Sequence, residues 1–169
     1  GTFAIAFVLL TLTTLSFAQQ VQDVATASAT IIAPIGITKT LDMDFGNIAV
    51  GATGGTVILA PASTRSLGVP GTLVLPTVFP GNIQAATFTV SGAAGYTYAI
   101  TLPGTATTIN NGANTMTVDT WTSNPTPTGT IGGLGTDVLT VGGTLHVGNS
   151  QAAGLYVSAT PFVVKVEYN

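Results

Sequence analysis

Side chains that commonly do chemistry are scarce in this sequence. It contains one histidine, six acidic residues, three basic residues and no cysteine. Without cysteine there is no disulfide and no thiolate metal site. The histidine, His146, lies in Thr144-Leu145-His146-Val147, opposite in phase to Leu145 and Val147, so it is expected on a solvent face. A catalytic histidine needs a nucleophile or a carboxylate placed beside it, and nothing near it in sequence supplies one. Asp42 and Asp44 alternate with Leu41, Met43 and Phe45 and share one face of a short strand. Calcium takes about six to eight oxygen ligands, and no calcium-loop spacing surrounds this pair, so the expectation is a solvated strand face. Asp119 and Asp137 read as isolated. Gly132-Gly133-Leu134-Gly135 lacks the lysine and the following helix of a phosphate loop. Trp121 with Tyr96 or Tyr98 would make a sugar-stacking platform, although packing in the core or at its rim is the commoner use of such rings. These residues predict no enzyme, no catalytic residue, no cofactor and no metal.

The elements that carry these residues are strands. Charged residues make up 5% of the 169 residues, against roughly 25% in ordinary soluble proteins. A net charge of −3 with three Lys or Arg offers no basic face for nucleic acid. Thr, Val, Ile and Gly suit strands and turns, and no long segment combines a helical period with helix formers. Short apolar runs separated by Gly, Pro and Asn turns predict a β-sandwich.

Residues 1–18 read as part of a secretory signal: an uncharged apolar run from Phe3 to Leu15, then Ser16-Phe17-Ala18 before a cut ahead of Gln19. After that cut no membrane association is expected. Residues 19–33 form an N-terminal arm in which Ala25, Ala27, Ala29, Ile31 and Ala33 share one face of an extended chain. Residues 34–169 form the sandwich domain. Within it, Gly142-Gly143 is expected to turn a hairpin of odd loop length, because only that register buries Leu139, Val141, Leu145 and Val147 together. Ser123 to Gly135, rich in Pro, Thr and Gly, reads as a flexible surface loop. Tyr156 follows a turn and is expected to act as a corner tyrosine at the start of the last strand, ring buried and hydroxyl bonded to backbone just upstream. In the final stretch Phe162, Val164, Val166 and Tyr168 alternate with Val163, Lys165 and Glu167, a strand with one buried face. No later residue can pair with its free edge, which therefore needs a cover. The arm suits that task, in cis or in trans.

Three pieces carry a resemblance. They are Leu41-Asp42-Met43-Asp44-Phe45-Gly46-Asn47-Ile48, then Phe88-Thr89-Val90-Ser91-Gly92 with Tyr96-Thr97-Tyr98-Ala99-Ile100-Thr101-Leu102-Pro103, and Ala153-Gly154-Leu155-Tyr156. Over Thr30 to Asn169 the chain resembles a family of secreted bacterial β-sandwich proteins known only as a domain of unknown function. The first and last pieces also look like the spore-coat-protein-U type of pilin, which archaic chaperone–usher systems assemble. That likeness implies an immunoglobulin-like sandwich lacking its last strand, filled by an N-terminal extension of the next subunit. It implies residues 19–33 as donor, the strand through Tyr168 as groove edge, and a chaperone or usher as partner. The chain departs from such pilins in having no cysteine and in carrying Pro161, which interrupts its last strand and where a bulge is expected.

The function these readings predict is a secreted, non-enzymatic subunit of a cell-surface filament or pilus-like fibre, a homo-polymer built by strand donation. The alternative, of a different class, is a secreted carbohydrate-binding module that uses exposed aromatic rings.

Overall fold

A computed structural model of the chain describes residues 19–169; the expected signal segment lies outside them. Among the described residues there is no helix, and every strand pair is antiparallel. The chain is thus all-β, an antiparallel sandwich. Residues 19–31 belong to the first of two units; they carry no strand and their side chains are exposed. Residues 32–169 form the second unit.

In that unit the strands are β1 (Gly36–Leu41), β2 (Asp44–Phe45), β3 (Gly55–Leu59), β4 (Arg65–Leu67), β5 (Ile83–Gln84) and β6 (Ala86–Ser91). They continue with β7 (Thr97–Thr101), β8 (Thr107–Asn111), β9 (Asn114–Asn124), β10 (Thr128–Thr130), β11 (Thr136–Val147) and β12 (Lys165–Tyr168). The larger sheet gathers β1, β6, β11, β3 and β4, with β9 and β8 continuing from β11; β10, β7 and β12 form a second sheet, and β2 pairs with β5.

β11 is the spine of the larger sheet. Its first half pairs with β6 and its second half with β3, while β9 runs along 140–146. Because β9 overlaps both partners, β6 and β3 must lie end to end on the opposite edge. This corrects the expected hairpin: Gly142-Gly143 sits inside one continuous strand, and neither glycine has a positive φ. Leu139, Val141, Gly143, Leu145 and Val147 are all buried, so the period of two never breaks. The glycines serve close approach. A Cβ on Gly142 would collide with the Leu59 carbonyl oxygen, where β3 ends, and one on Gly143 would lie 3.1 Å from Val118 Cγ1. Burying each Leu or Val of this stripe contributes about 1.5–3 kcal/mol. The stripe divides between two core clusters: Leu145 and Val147 pack with Phe45, Val57, Leu59, Leu73 and Val118, and Leu139 and Val141 pack with Val90, Tyr98, Ile131 and Val164.

Opposite Gly143, β9 carries two residues, Thr120 and Trp121, between its pairings at Asp119 and Thr122. This bulge holds Thr120 at φ 49°. It shifts the phase of β9, so that Val118 and Trp121 both turn toward the core. The stretch Ser123 to Gly135 is not the expected loose loop either. β9 runs to Asn124, β10 pairs with β7, and Ser123, Gly129 and Ile131 are buried. In the final stretch the expected phase appears, with Phe162, Val164, Val166 and Tyr168 more buried than Val163, Lys165 and Glu167. Only Lys165–Tyr168 pairs, however, with Thr101–Tyr98 of β7. Residues 162–164, just after Pro161, carry no strand, and proline has no N–H to give to a ladder.

Candidate functional site

The charged residues are committed mostly to structure. His146 is exposed, as its phase predicts, but it is not alone: the register of β9 on β11 brings Asp119 to it, with Nε2 and Oδ1 2.7 Å apart. The Thr120 hydroxyl donates to the same Asp119 oxygen at 3.0 Å. The bond to His146 holds the Asp119 carboxyl below its ordinary range; burial opposes it, and the Thr120 bond adds a smaller lowering. Because the folded value lies below the unfolded one, this contribution is fully present above the ordinary carboxylate range, near about pH 4. It is lost as pH falls through the lowered folded value. With both side chains more than a third exposed, the contribution to stability is small. In His146→Ala the Asp119 carboxyl should titrate closer to its ordinary value; a carboxyl-detected NMR titration checks this, and an unchanged midpoint would refute the coupling.

Asp137 is likewise not isolated. Tyr98, fully buried, donates its hydroxyl to Asp137 Oδ2 at 2.8 Å. Burial first and this bond second raise the Tyr98 phenol well above its ordinary value, so it stays a donor. Asp44 accepts the Gly46 N–H at 2.8 Å, and Asp42 pairs with Lys39 at 2.6 Å. The two aspartates thus face different partners and share no ligand between them.

Arg65, which its sequence context does not single out, clamps the stretch that holds Asp44. Its Nη1 donates to the carbonyls of Phe45 at 2.6 Å and Asn47 at 2.7 Å, and Nη2 to that of Pro76 at 3.2 Å. Burial lowers the guanidinium from its ordinary value and Asp44 opposes the shift; arginine keeps its charge throughout. Gly46, at φ +69°, leaves the space this clamp needs: a Cβ there would strike the Pro80 carbonyl and lie 2.9 Å from Arg65 Nη1.

Tyr98, Trp121 and Tyr96 each take different partners. Tyr98 is in the core. Trp121 packs on Phe162 with ring centroids 4.5 Å apart, and its Nε1 donates to the Thr105 carbonyl at 3.3 Å. Tyr96 meets Tyr168 edge-on at 5.8 Å. Tyr156 donates its hydroxyl to the Ala152 carbonyl four residues upstream, at 2.8 Å, as a corner tyrosine should. Its ring is half-buried rather than buried, and it lies between β11 and β12 rather than at the start of the last strand. The hydroxyl that ties distant backbone together belongs to Tyr168. It accepts the Ala93 N–H at 2.7 Å and donates to the Ala33 carbonyl at 2.8 Å. Ala33, the last residue of the expected arm, is therefore fastened to the end of the last strand.

Among the described residues β1, β4, β8, β10 and β12 each pair with one strand only, and the open edges of β12 and β8 bear on assembly. β12 pairs with β7 and with no second strand among the described residues. β8 pairs with β9 on one edge; on the other it meets only the bridge from Asn110 to Val157. Beyond that bridge a groove of about 910 Å³ opens between β8 and the run into β12, lined by residues including Thr107, Thr108, Asn110, Thr160, Phe162 and Lys165. The sequence gives no signal for this groove, because its walls lie some 50 residues apart in the chain. Of the residues expected to border a groove, it takes Phe162; Val164, Val166 and Tyr168 turn into the core with Ile35 and Ile37. Of the expected arm, Ala25, Ala27, Ala29 and Ile31 are exposed in the first unit.

No curated protein and no solved structure matches the chain. One family model does, over residues 35–168, from just before β1 to the end of β12. The match takes in the Arg65 clamp, the β11 spine and the last strand, so the chain belongs to the family described as domain of unknown function DUF4402.

Proposed function

We propose that this protein is a secreted structural subunit of a cell-surface filament, polymerised by donation of a strand from one copy to the next. The observation that carries the reading is a pairing mismatch. Among the described residues, 19–31 are exposed and carry no strand, with small residues at every second position from Ala25 to Ala29, and β12 pairs on one edge only. An open edge beside an apolar face attracts another strand, and main-chain pairing in such an addition supplies affinity while alternate side chains supply selectivity. The likeness to spore-coat-protein-U pilins agrees with it, and a chaperone or usher that shields the open edge before assembly fits the same physics. Most of the charged groups in residues 32–169 are tied up within the domain, which suits a packing unit better than a catalyst.

The test is the mass of the chain in solution, with negative-stain microscopy of the same material. Filaments or a ladder of oligomers are expected, and removal of residues 19–29 should leave a monomer that aggregates or binds added arm peptide. A stable monomer whose behaviour does not change when the arm is removed would defeat the proposal.

A further inference from the structure

The outer edge of β8 is built to accept a strand. Asn110 exchanges both peptide hydrogen bonds with Val157, at 2.9 and 3.1 Å, so its backbone faces away from β9. Alternate residues of an antiparallel strand turn their peptide groups to the same edge. The N–H and C=O of Thr108 therefore face outward too, and no backbone partner among the described residues meets them. The bridge at Asn110 is the first rung of a ladder whose next rung is missing, and the groove lies where that rung would be.

Charge distinguishes the groove as well. The chain is acidic overall, yet the lining contains Lys165 and no carboxylate. Among the described residues Lys165 has no ion-pair partner, whereas Lys39 holds Asp42 and Arg65 holds backbone carbonyls. Glu167 lies two residues on, along the same exposed face of β12, and does not line the groove. In residues 19–33 the only charge is Asp23, which bonds only the neighbouring Val24 N–H. In an extended chain Asp23 points to the same side as Ala25, Ala27 and Ala29.

We infer that the groove seats residues 23–29 of a second copy as a strand added to β8, with Asp23 of that copy paired to Lys165. Val157 already holds the edge at Asn110, so the added strand pairs at Thr108, and the rest of its length, about 23 Å for seven extended residues, runs on along the groove. Three alanines on one side suit a slot whose floor is already filled by the half-buried Phe162 ring. The inference rests on the strand-donation reading and adds to it the acceptor site and its polarity.

The experiment follows assembly of the full chain against concentration by light scattering. Lys165→Glu and Asp23→Lys should each raise the concentration at half-assembly about tenfold, because each places like charges together. The chain carrying both changes should return to within about threefold of the parent. Thr108→Pro removes an outward N–H without touching the β9 ladder, a position where edge strands accept proline; it should melt like the parent and fail to assemble. Single reversals without effect, or a double reversal that does not recover, would overturn the site. If the charge variants assemble normally while removal of residues 19–29 still abolishes assembly, this acceptor site is wrong and strand donation survives. If removal of the arm changes nothing, the reading beneath it fails.

Discussion

Gly142→Val should lower the melting temperature by about 10 °C or more. The new Cβ would fall inside contact distance of the Leu59 carbonyl oxygen, 2.9 Å from Ala60 C and 3.0 Å from Pro61 N. All three are backbone atoms, so no side chain can swing aside. Relief requires β3 to withdraw from β11, which gives up the pairing of Gly143 to Val147 with Leu59 to Gly55. Overpacking a fitted core costs about 1–3 kcal/mol, and a broken ladder with exposed Val57 and Leu59 adds to that. At about 2–4 °C per kcal/mol for a chain of this size, the shift is easily read by thermal melting. Gly133→Val is the matched control, since a Cβ there meets nothing within 4 Å. Equal melting temperatures for the two variants would contradict the packing described.

Arg65→Leu should cost about 3 kcal/mol, measured by urea denaturation. The substitution keeps an apolar stem and strands three carbonyl acceptors, on Phe45, Asn47 and Pro76. A hydrogen bond from a charged donor contributes about 1.5–3 kcal/mol, and an acceptor left without a partner adds its own desolvation cost. Water reaches part of this site and replaces part of the loss, which keeps the expected total below the sum of three bonds. Arg65→Lys should recover less than half, because a single ammonium cannot reproduce a planar fork that reaches two loops at once. Full recovery by lysine would show that charge alone matters there.

What the sequence disclosed and what it hid divide along physical lines. Side-chain phase was legible. The alternation of Phe162, Val164, Val166 and Tyr168 appears in the structure as burial. Class of fold was legible too, since Thr, Val and Gly with frequent turn residues leave little else to build. The misreading of Gly142-Gly143 shows the limit: paired glycines signal a turn or a close approach equally well. The unbroken period through Gly143 carried the answer, because a glycine can occupy an inward position as a side chain of zero size. Contacts that depend on register were beyond reach. Asp119 and His146 lie 27 residues apart, and the bulge at Thr120 shifts every residue after it by one phase. Arg65 acts on carbonyl groups, which every residue possesses, so composition could not name its partners. The groove at β8 depends on where residues 158–163 part from a strand distant in sequence, again a matter of tertiary path.

The position of β11 also sets an order of events in time. Its three partners, β3, β6 and β9, all precede it in the chain. As the polypeptide emerges from the ribosome, each of these strands appears with its apolar stripe ready and its central neighbour not yet made. The β1–β6, β3–β4 and β8–β9 pairs can form early, but the larger sheet cannot close until residue 147 has emerged. Contacts so far apart in sequence close slowly, and waiting strands are the species most prone to pair wrongly. A nascent chain with this topology is most vulnerable in the interval before its longest strand arrives.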